Sequence, residues 1–138
     1  MITATQDGAV ELYHDNVKTF QTEANGATFM GPEGSAGWIQ IFSDEGDDNG
    51  DKWRLIKEGG NENFSIQNYK SGSWETNILA TGDGAVELYN DNSSRAATFG
   101  SGFKVTGGGE LYIDGNAASG HCELIMTRSD RSWMIANQ

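Results

Sequence analysis

The sequence has one cysteine, Cys122, so no internal disulfide framework is expected. It has two histidines, His14 and His121. With no further His or Cys, neither a zinc site within one chain nor a Cys-His catalytic pair is expected. Basic residues are scarce: 9 Lys+Arg stand against 20 Asp+Glu, a formal net charge of -11. A surface this acidic repels phosphate backbones and anionic lipid, which argues against nucleic acid and membrane as partners. No apolar run is long enough to cross a bilayer. The N-terminus lacks a basic stretch followed by an apolar one, so no signal peptide is expected. No segment holds a capped apolar period of 3.6 residues, which argues against α-helices. Proline occurs once, at Pro32, while glycine occurs 19 times. With aromatic and β-branched residues well spread, that balance points to many turns rather than to disorder.

What is present is a repeat. Asp7-Gly8-Ala9-Val10-Glu11-Leu12-Tyr13-His14-Asp15-Asn16 returns as Asp83-Gly84-Ala85-Val86-Glu87-Leu88-Tyr89-Asn90-Asp91-Asn92, and Gly109-Glu110-Leu111-Tyr112 is a worn third copy. Each copy is a turn, an alternating strand with Val and Leu on one face and Glu and Tyr on the other, then a second turn. Between the copies, Trp38–Phe42, Lys52–Lys57, Asn63–Tyr69 and Trp74–Leu79 alternate as a four-stranded meander, with turns at Asn49-Gly50, Gly59-Gly60-Asn61 and Ser71-Gly72-Ser73. Asn25-Gly26 is a further hairpin-turn candidate, and Thr28-Phe29-Met30 is a short strand stopped at Gly31-Pro32. The expected organisation is strand module 1 over 1–35, a meander over 36–77, strand module 2 over 78–118 and a partial second meander over 119–138. The fold class is all-β, built of tandem short antiparallel strands and meanders. Such units have too little apolar surface to be stable alone, so completion by homotrimerisation is expected. The assembly residues are Val10, Leu12, Tyr13, Val86, Leu88 and Tyr89.

The decapeptide repeat, together with Asp51-Lys52-Trp53-Arg54-Leu55, Phe64-Ser65-Ile66-Gln67-Asn68-Tyr69 and Ser73-Trp74-Glu75-Thr76-Asn77, resembles repeats in tail-fibre and other virion structural proteins of bacteriophages, especially marine ones. The resemblance covers most of the chain. It implies a β-rich trimeric appendage displayed on a particle, in contact with other virion proteins and extracellular after host lysis. Such fibres often end in a self-cleaving chaperone domain or a receptor-binding tip. This sequence shows neither, and looks like a shaft segment or a small fibre or decoration protein. The family supplies no catalytic residues to carry over.

Four constellations bear on chemistry. Asp44, Asp47, Asp48 and Asp51 form an acidic loop of the kind calcium uses, but the EF-hand spacing fails and a solvated hairpin loop is the expectation. Glu11, Glu87 and Glu110, with Asp15, Asp91 and Asp114, recur in every copy, whereas a glycosidase pair is set once in one cleft, so no enzyme is expected. Trp38, Trp53, Trp74 and Trp133 could stack on sugar rings, although packing within alternating strands is the default. Gly107-Gly108-Gly109 lacks the strand-to-helix setting of a phosphate loop and reads as a corner or bulge. Cys122 aligns with Ile39 and reads as a small core residue. The function expected is structural. A carbohydrate-binding adhesin contacting host-surface glycan is the alternative, and a polysaccharide depolymerase comes third. Neither cofactor nor metal is expected, calcium at the acidic loop being the weak exception. Val86→Asp, in the repeated strand, should dissociate or unfold the oligomer. An unchanged oligomer with an unchanged melting temperature would remove Val86 from the assembly residues.

Overall fold

The computed structural model describes residues 1–107. The third Glu-Leu-Tyr copy, His121, Cys122, Trp133 and the expected partial meander lie outside the described residues. The fold is all-β, as the alternation implies, with no α-helix among the described residues. One antiparallel sheet has the order β1-β2-β3-β4, formed by β1 (Ile2–Ala4), β2 (Val10–His14), β3 (Val17–Glu23) and β4 (Gly26–Phe29). The other has the order β11-β10-β9-β8-β7-β6-β5. It contains β5 (Gly37–Phe42), β6 (Lys52–Lys57), β7 (Asn63–Asn68), β8 (Glu75–Thr81), β9 (Val86–Asn90), β10 (Ser93–Phe99) and β11 (Gly102–Val105). Within each sheet, strands adjacent in sequence are hydrogen-bonded neighbours, so each sheet is a simple meander.

Backbone conformation explains the corners. The non-glycine residues with positive φ are Asp7, Asp15, Asn16, Asp44, Glu45, Asp83, Asp91 and Asn92. Asp and Asn tolerate the left-handed region because their short side chains hydrogen-bond locally. Asp15-Asn16 and Asp91-Asn92 have both residues left-handed, which gives the hairpin twist that matches paired strands. The β3–β4 turn differs from the Asn25-Gly26 expectation. Glu23 pairs with Gly26, so the two-residue loop is Ala24-Asn25 and Gly26 opens the next strand. The Glu23 carboxylate fixes that register by accepting hydrogen bonds from Gln21 and from Thr28 Oγ1 across the pair. Asn49-Gly50 is likewise not a hairpin turn. The β5–β6 connection is two 3-10 turns, Asp44–Gly46 and Asn49–Asp51.

The pairings of the first sheet recur in β8–β11 at a constant offset. Ile2↔Leu12 becomes Ile78↔Leu88, Leu12↔Phe20 becomes Leu88↔Ala96, and Phe20↔Phe29 becomes Ala96↔Val105, each position shifted by 76. The bulge recurs too, falling after Leu12 in one pair and after Leu88 in the other. The agreement continues past Asn92, where the sequences no longer match. β8 closes the β5–β7 meander on one edge and opens this second set of pairings on the other.

Pairing register sorts each sheet into two unlike faces, since paired residues lie on the same side. In the large sheet Ile39, Leu55, Ile66, Ile78, Leu88, Ala96 and Val105 form one apolar row across all seven strands. The opposite face holds Gln40, Arg54, Gln67 and Thr76 in one row. Burial is concentrated on that second face: Ser65 at 1%, Ala97 at 2%, Ile56 at 6% and Gln67 at 7% exposure are the buried positions among the described residues. The centre of the large sheet is therefore closed on its polar side and open on its apolar side, while Trp38, Phe42 and Phe99 stand exposed on the polar side of outer strands.

Close approach of the β4–β5 connection rests on Gly31. A Cβ there would stand 2.1 Å from the Ala36 carbonyl oxygen, whereas one at Gly26 would meet nothing within 4 Å. Gly31→Ala should cost about 1–3 kcal/mol by overpacking, while Gly26→Ala should leave stability within roughly 1 kcal/mol of the parent. Chemical denaturation of the two variants checks this, and equal midpoints would refute the tight contact.

Candidate functional site

The most extensive surface feature is the apolar face of the seven-stranded sheet. Alternating strands supply it, and no second layer covers it among the described residues. Ile41, Trp53, Phe64, Val86, Leu88, Phe103 and Val105 all stand exposed on it. A shallow hollow of about 340 Å³ lies over Ile41, Trp53, Leu55 and Ile66. In the small sheet Ile2, Leu12, Phe20 and Phe29 repeat the pattern, with the Phe20 and Phe29 rings edge-on at 5.0 Å. A groove of about 790 Å³ opens between this row and the β4–β5 connection, lined by Leu12, Val17, Phe20, Phe29, Pro32 and Trp38 among others. His14 and Asp15 stand at the same groove.

The polar faces are internally satisfied. Arg54 Nε donates to Gln67 Oε1 at 2.8 Å, and Gln67 Nε2 donates to Ser65 Oγ at 3.0 Å. The Arg54 guanidinium lies 4.2 Å from the centroid of Trp74, which packs against Tyr69 at 5.1 Å. Burial draws the Arg54 pKa below its ordinary value. In the small sheet Tyr13 Oη donates to Glu11 Oε2 at 2.7 Å and Lys18 Nζ to Glu11 Oε1 at 2.9 Å. Those two bonds, Lys18 first, hold the Glu11 carboxyl below its usual range; the bond to Glu11 raises Tyr13. Tyr89 donates to Glu87 at 3.2 Å in the second copy, and burial is the main cause of its raised pKa. No buried side-chain nitrogen or oxygen lacks a partner among the described residues.

The repeat implies six assembly residues. Val10, Leu12, Val86 and Leu88 are exposed on apolar faces. Tyr13 and Tyr89 are half-buried on the opposite faces, paired with Glu11 and Glu87. The sequence pattern missed Ile39, Leu55, Ile66 and Ile78 as members of the same row, because only register joins them. Their membership of alternating strands was the available signal. The Ser65–Gln67–Arg54–Trp74 network had no local signal, since it depends on both register and the loop that carries Trp74.

The acidic loop is partly as expected. Carboxylate oxygens of Asp47, Asp48 and Asp51 lie within 4.8 Å of one another, and Asp44 is not in that group. Asp51 is already engaged, accepting from Ser43 Oγ at 3.0 Å and from the Asp48 amide at 3.3 Å. Lys70 lines the same hollow and supplies positive charge. Asp48 and Asp51 make a reciprocal capping box around Asn49–Asp51, which accounts for their spacing without an ion. The tryptophans depart from the packing default: Trp38 is 52% and Trp53 44% exposed, on opposite faces, while Trp74 is stacked on Arg54 and Tyr69.

Comparison with protein-family models, curated proteins and solved structures returns no match for this chain.

Glu11 generates a pH prediction. Its pKa is lowered in the folded state, so its contribution is present above the unfolded value of about 4.3 and is lost as pH falls through the lower folded value. Glu11→Gln should flatten the fall of melting temperature below about pH 5 relative to the parent chain. Parallel acid-side curves for the two proteins would refute the role.

Proposed function

We propose that this protein is a structural component of a bacteriophage virion, a fibre or decoration protein that works by assembling with copies of itself as a homotrimer and performs no chemistry. The observation that carries the reading is the distribution of burial at the centre of the large sheet: among the described residues its polar side is satisfied and its apolar side is open. Isolated single-layer sheets with such a face are not stable folding units, because a domain needs a second layer to exclude water. Assembly supplies that layer. The tandem organisation supports an elongated part, since modules paired alike can be added without redesigning the next contact. The acidic turns suit a component displayed in quantity on a particle surface, where like charge keeps particles apart. The proposed location is the virion surface, extracellular after host lysis, in contact with other virion proteins.

A second reading is favoured by one observation. Trp38 stands open at the 790 Å³ groove beside His14 and Asp15, which is an apolar stacking platform with a polar rim, as sugar sites use. On this second reading the groove serves as an adhesin site for host-surface glycan, a role compatible with a fibre. A glycan array discriminates: signal abolished by Trp38→Ala supports it, and a silent array leaves only the structural part.

Light scattering behind a sizing column tests the main reading. The expected mass is three times the 14.9 kDa chain, or a filament of such units. A folded monomer at micromolar concentration would overturn it.

A further inference from the structure

We propose that the outer edge of β1 is a docking site for one extended antiparallel strand of a different polypeptide, a strand patterned like β7. The site is a sheet edge, and it stands whether or not the chain associates with its own copies. The large sheet shows what such an edge takes, because β8 is the counterpart of β1 and carries a strand there.

Ile2, Ala4 and Thr5 recur as Ile78, Ala80 and Thr81. The inner edges of the two strands are the same. Ile2↔Leu12 and Ala4↔Val10 correspond to Ile78↔Leu88 and Ala80↔Val86, and the amides of Thr5 and Thr81 donate to the Ala9 and Ala85 carbonyls. The outer edges differ. On β8 that edge holds β7, with Ile66 opposite Ile78, Phe64 opposite Ala80 and Asn63 opposite Thr81, and Thr81 Oγ1 donates to Asn63 Oδ1 at 3.3 Å. On β1 the edge pairs with nothing among the described residues, and Ile2 is 73% exposed. Met1 and Tyr13 exchange two backbone bonds and Thr5 bonds Ala9, so the bonds to β2 fall on Met1, Thr3 and Thr5. The amides and carbonyls of Ile2 and Ala4 therefore point away from β2. Those of Ile78 and Ala80 point at β7 in the same way, and the Gly82 amide, next in line, donates to the Glu62 carbonyl at 3.1 Å. A strand added to β1 satisfies these groups, and its register sets an aliphatic residue opposite Ile2, an aromatic one opposite Ala4 and an amide opposite Thr5.

The pattern selects the occupant. Asn-Phe-x-Ile occurs once in the sequence, at residues 63–66, and no phenylalanine follows Phe103. β7 is itself engaged on both edges, by β6 and β8, so neither this chain nor a copy of it has such a strand to spare. The occupant is thus an Asn-Phe-x-Ile type strand of another polypeptide. It differs from β7 at one position. Gln6 stands where the second copy has Gly82, and a Cβ at Gly82 would lie 3.0 Å from the Glu62 Cβ, so a strand on β1 needs glycine in place of Glu62.

The probe is a fluorescent peptide with the sequence of residues 60–70 carrying Glu62→Gly, titrated into the full chain. Saturable binding is expected, with slowed hydrogen exchange at the Ile2 and Ala4 amides. Ala4→Pro removes an outward donor and no bond to β2, a place where an edge strand accepts proline. It should weaken the peptide about tenfold and leave the melting temperature close to that of the parent. Ile2→Lys, at a side chain already exposed, is an independent variant with the same expected loss. A peptide carrying Phe64→Ser and Ser65→Phe puts its aromatic ring on the wrong face and should not bind. No binding by the parent peptide, or binding that both protein variants leave unchanged, would overturn the site. So would Ile2 and Ala4 amides already protected in the free chain, since the chain would then cover β1 itself. None of these outcomes turns on oligomeric mass, so the site and self-association can fail separately.

Discussion

The period of two in a β-strand is the constraint on which this structure depends. It sends every second residue to one side, and the chain has placed Ile, Leu and Val there with little interruption from β5 to β11. A sheet so patterned needs a second layer. The described residues form meanders that add strands sideways and never fold one sheet over the apolar row of the large one. Hydrophobic burial, the main favourable contribution to folding, is therefore largely unrealised among the described residues. What the chain closes for itself is the polar side, where Arg54 is laid across Gln67 and Trp74 and shields Ser65 beneath.

Charge and conformation are coupled at the corners. Every non-glycine residue with positive φ among the described residues is Asp, Asn or Glu. Each tight turn thus tends to add negative charge, and a fold made of many short hairpins becomes acidic as a consequence of its turn chemistry. The same placement keeps carboxylates at the ends and polar sides of the sheets. Solubility, turn geometry and a charge-poor apolar face are three results of one choice of residues.

Much of the architecture was legible because hairpins are local. The decapeptide contains its own turns and strand, so its two copies fold alike, down to the bulge after Leu12 and Leu88. The meander from Trp38 to Leu79 was legible for the same reason. Positions decided by register were not. Asn25-Gly26 looks like the strongest turn dipeptide between β3 and β4, yet the bonds of Gln21 and Thr28 to Glu23 set the pairing one residue earlier. Trp38 and Trp53 sit in alternating strands that imply packing, and both stand open because no layer arrives to cover them. Asp44 belongs to the acidic run in sequence, but the 3-10 turns gather only Asp47, Asp48 and Asp51.

The two sets of equivalent pairings differ where it bears on assembly. Phe20 and Phe29 in the small sheet become Ala96 and Val105 in the large one. The bulky pair lines the groove of the small sheet, whereas the small pair ends the long row of the large one. Tyr13 and Tyr89, on the other side, keep the same bond to the glutamate two residues before them while Lys18 gives way to Ser94. Backbone pairing and the Tyr–Glu bond are thus held constant, while side-chain bulk changes on both faces: Phe20 to Ala96 on the apolar side, and Lys18 to Ser94 and Glu23 to Phe99 on the polar side.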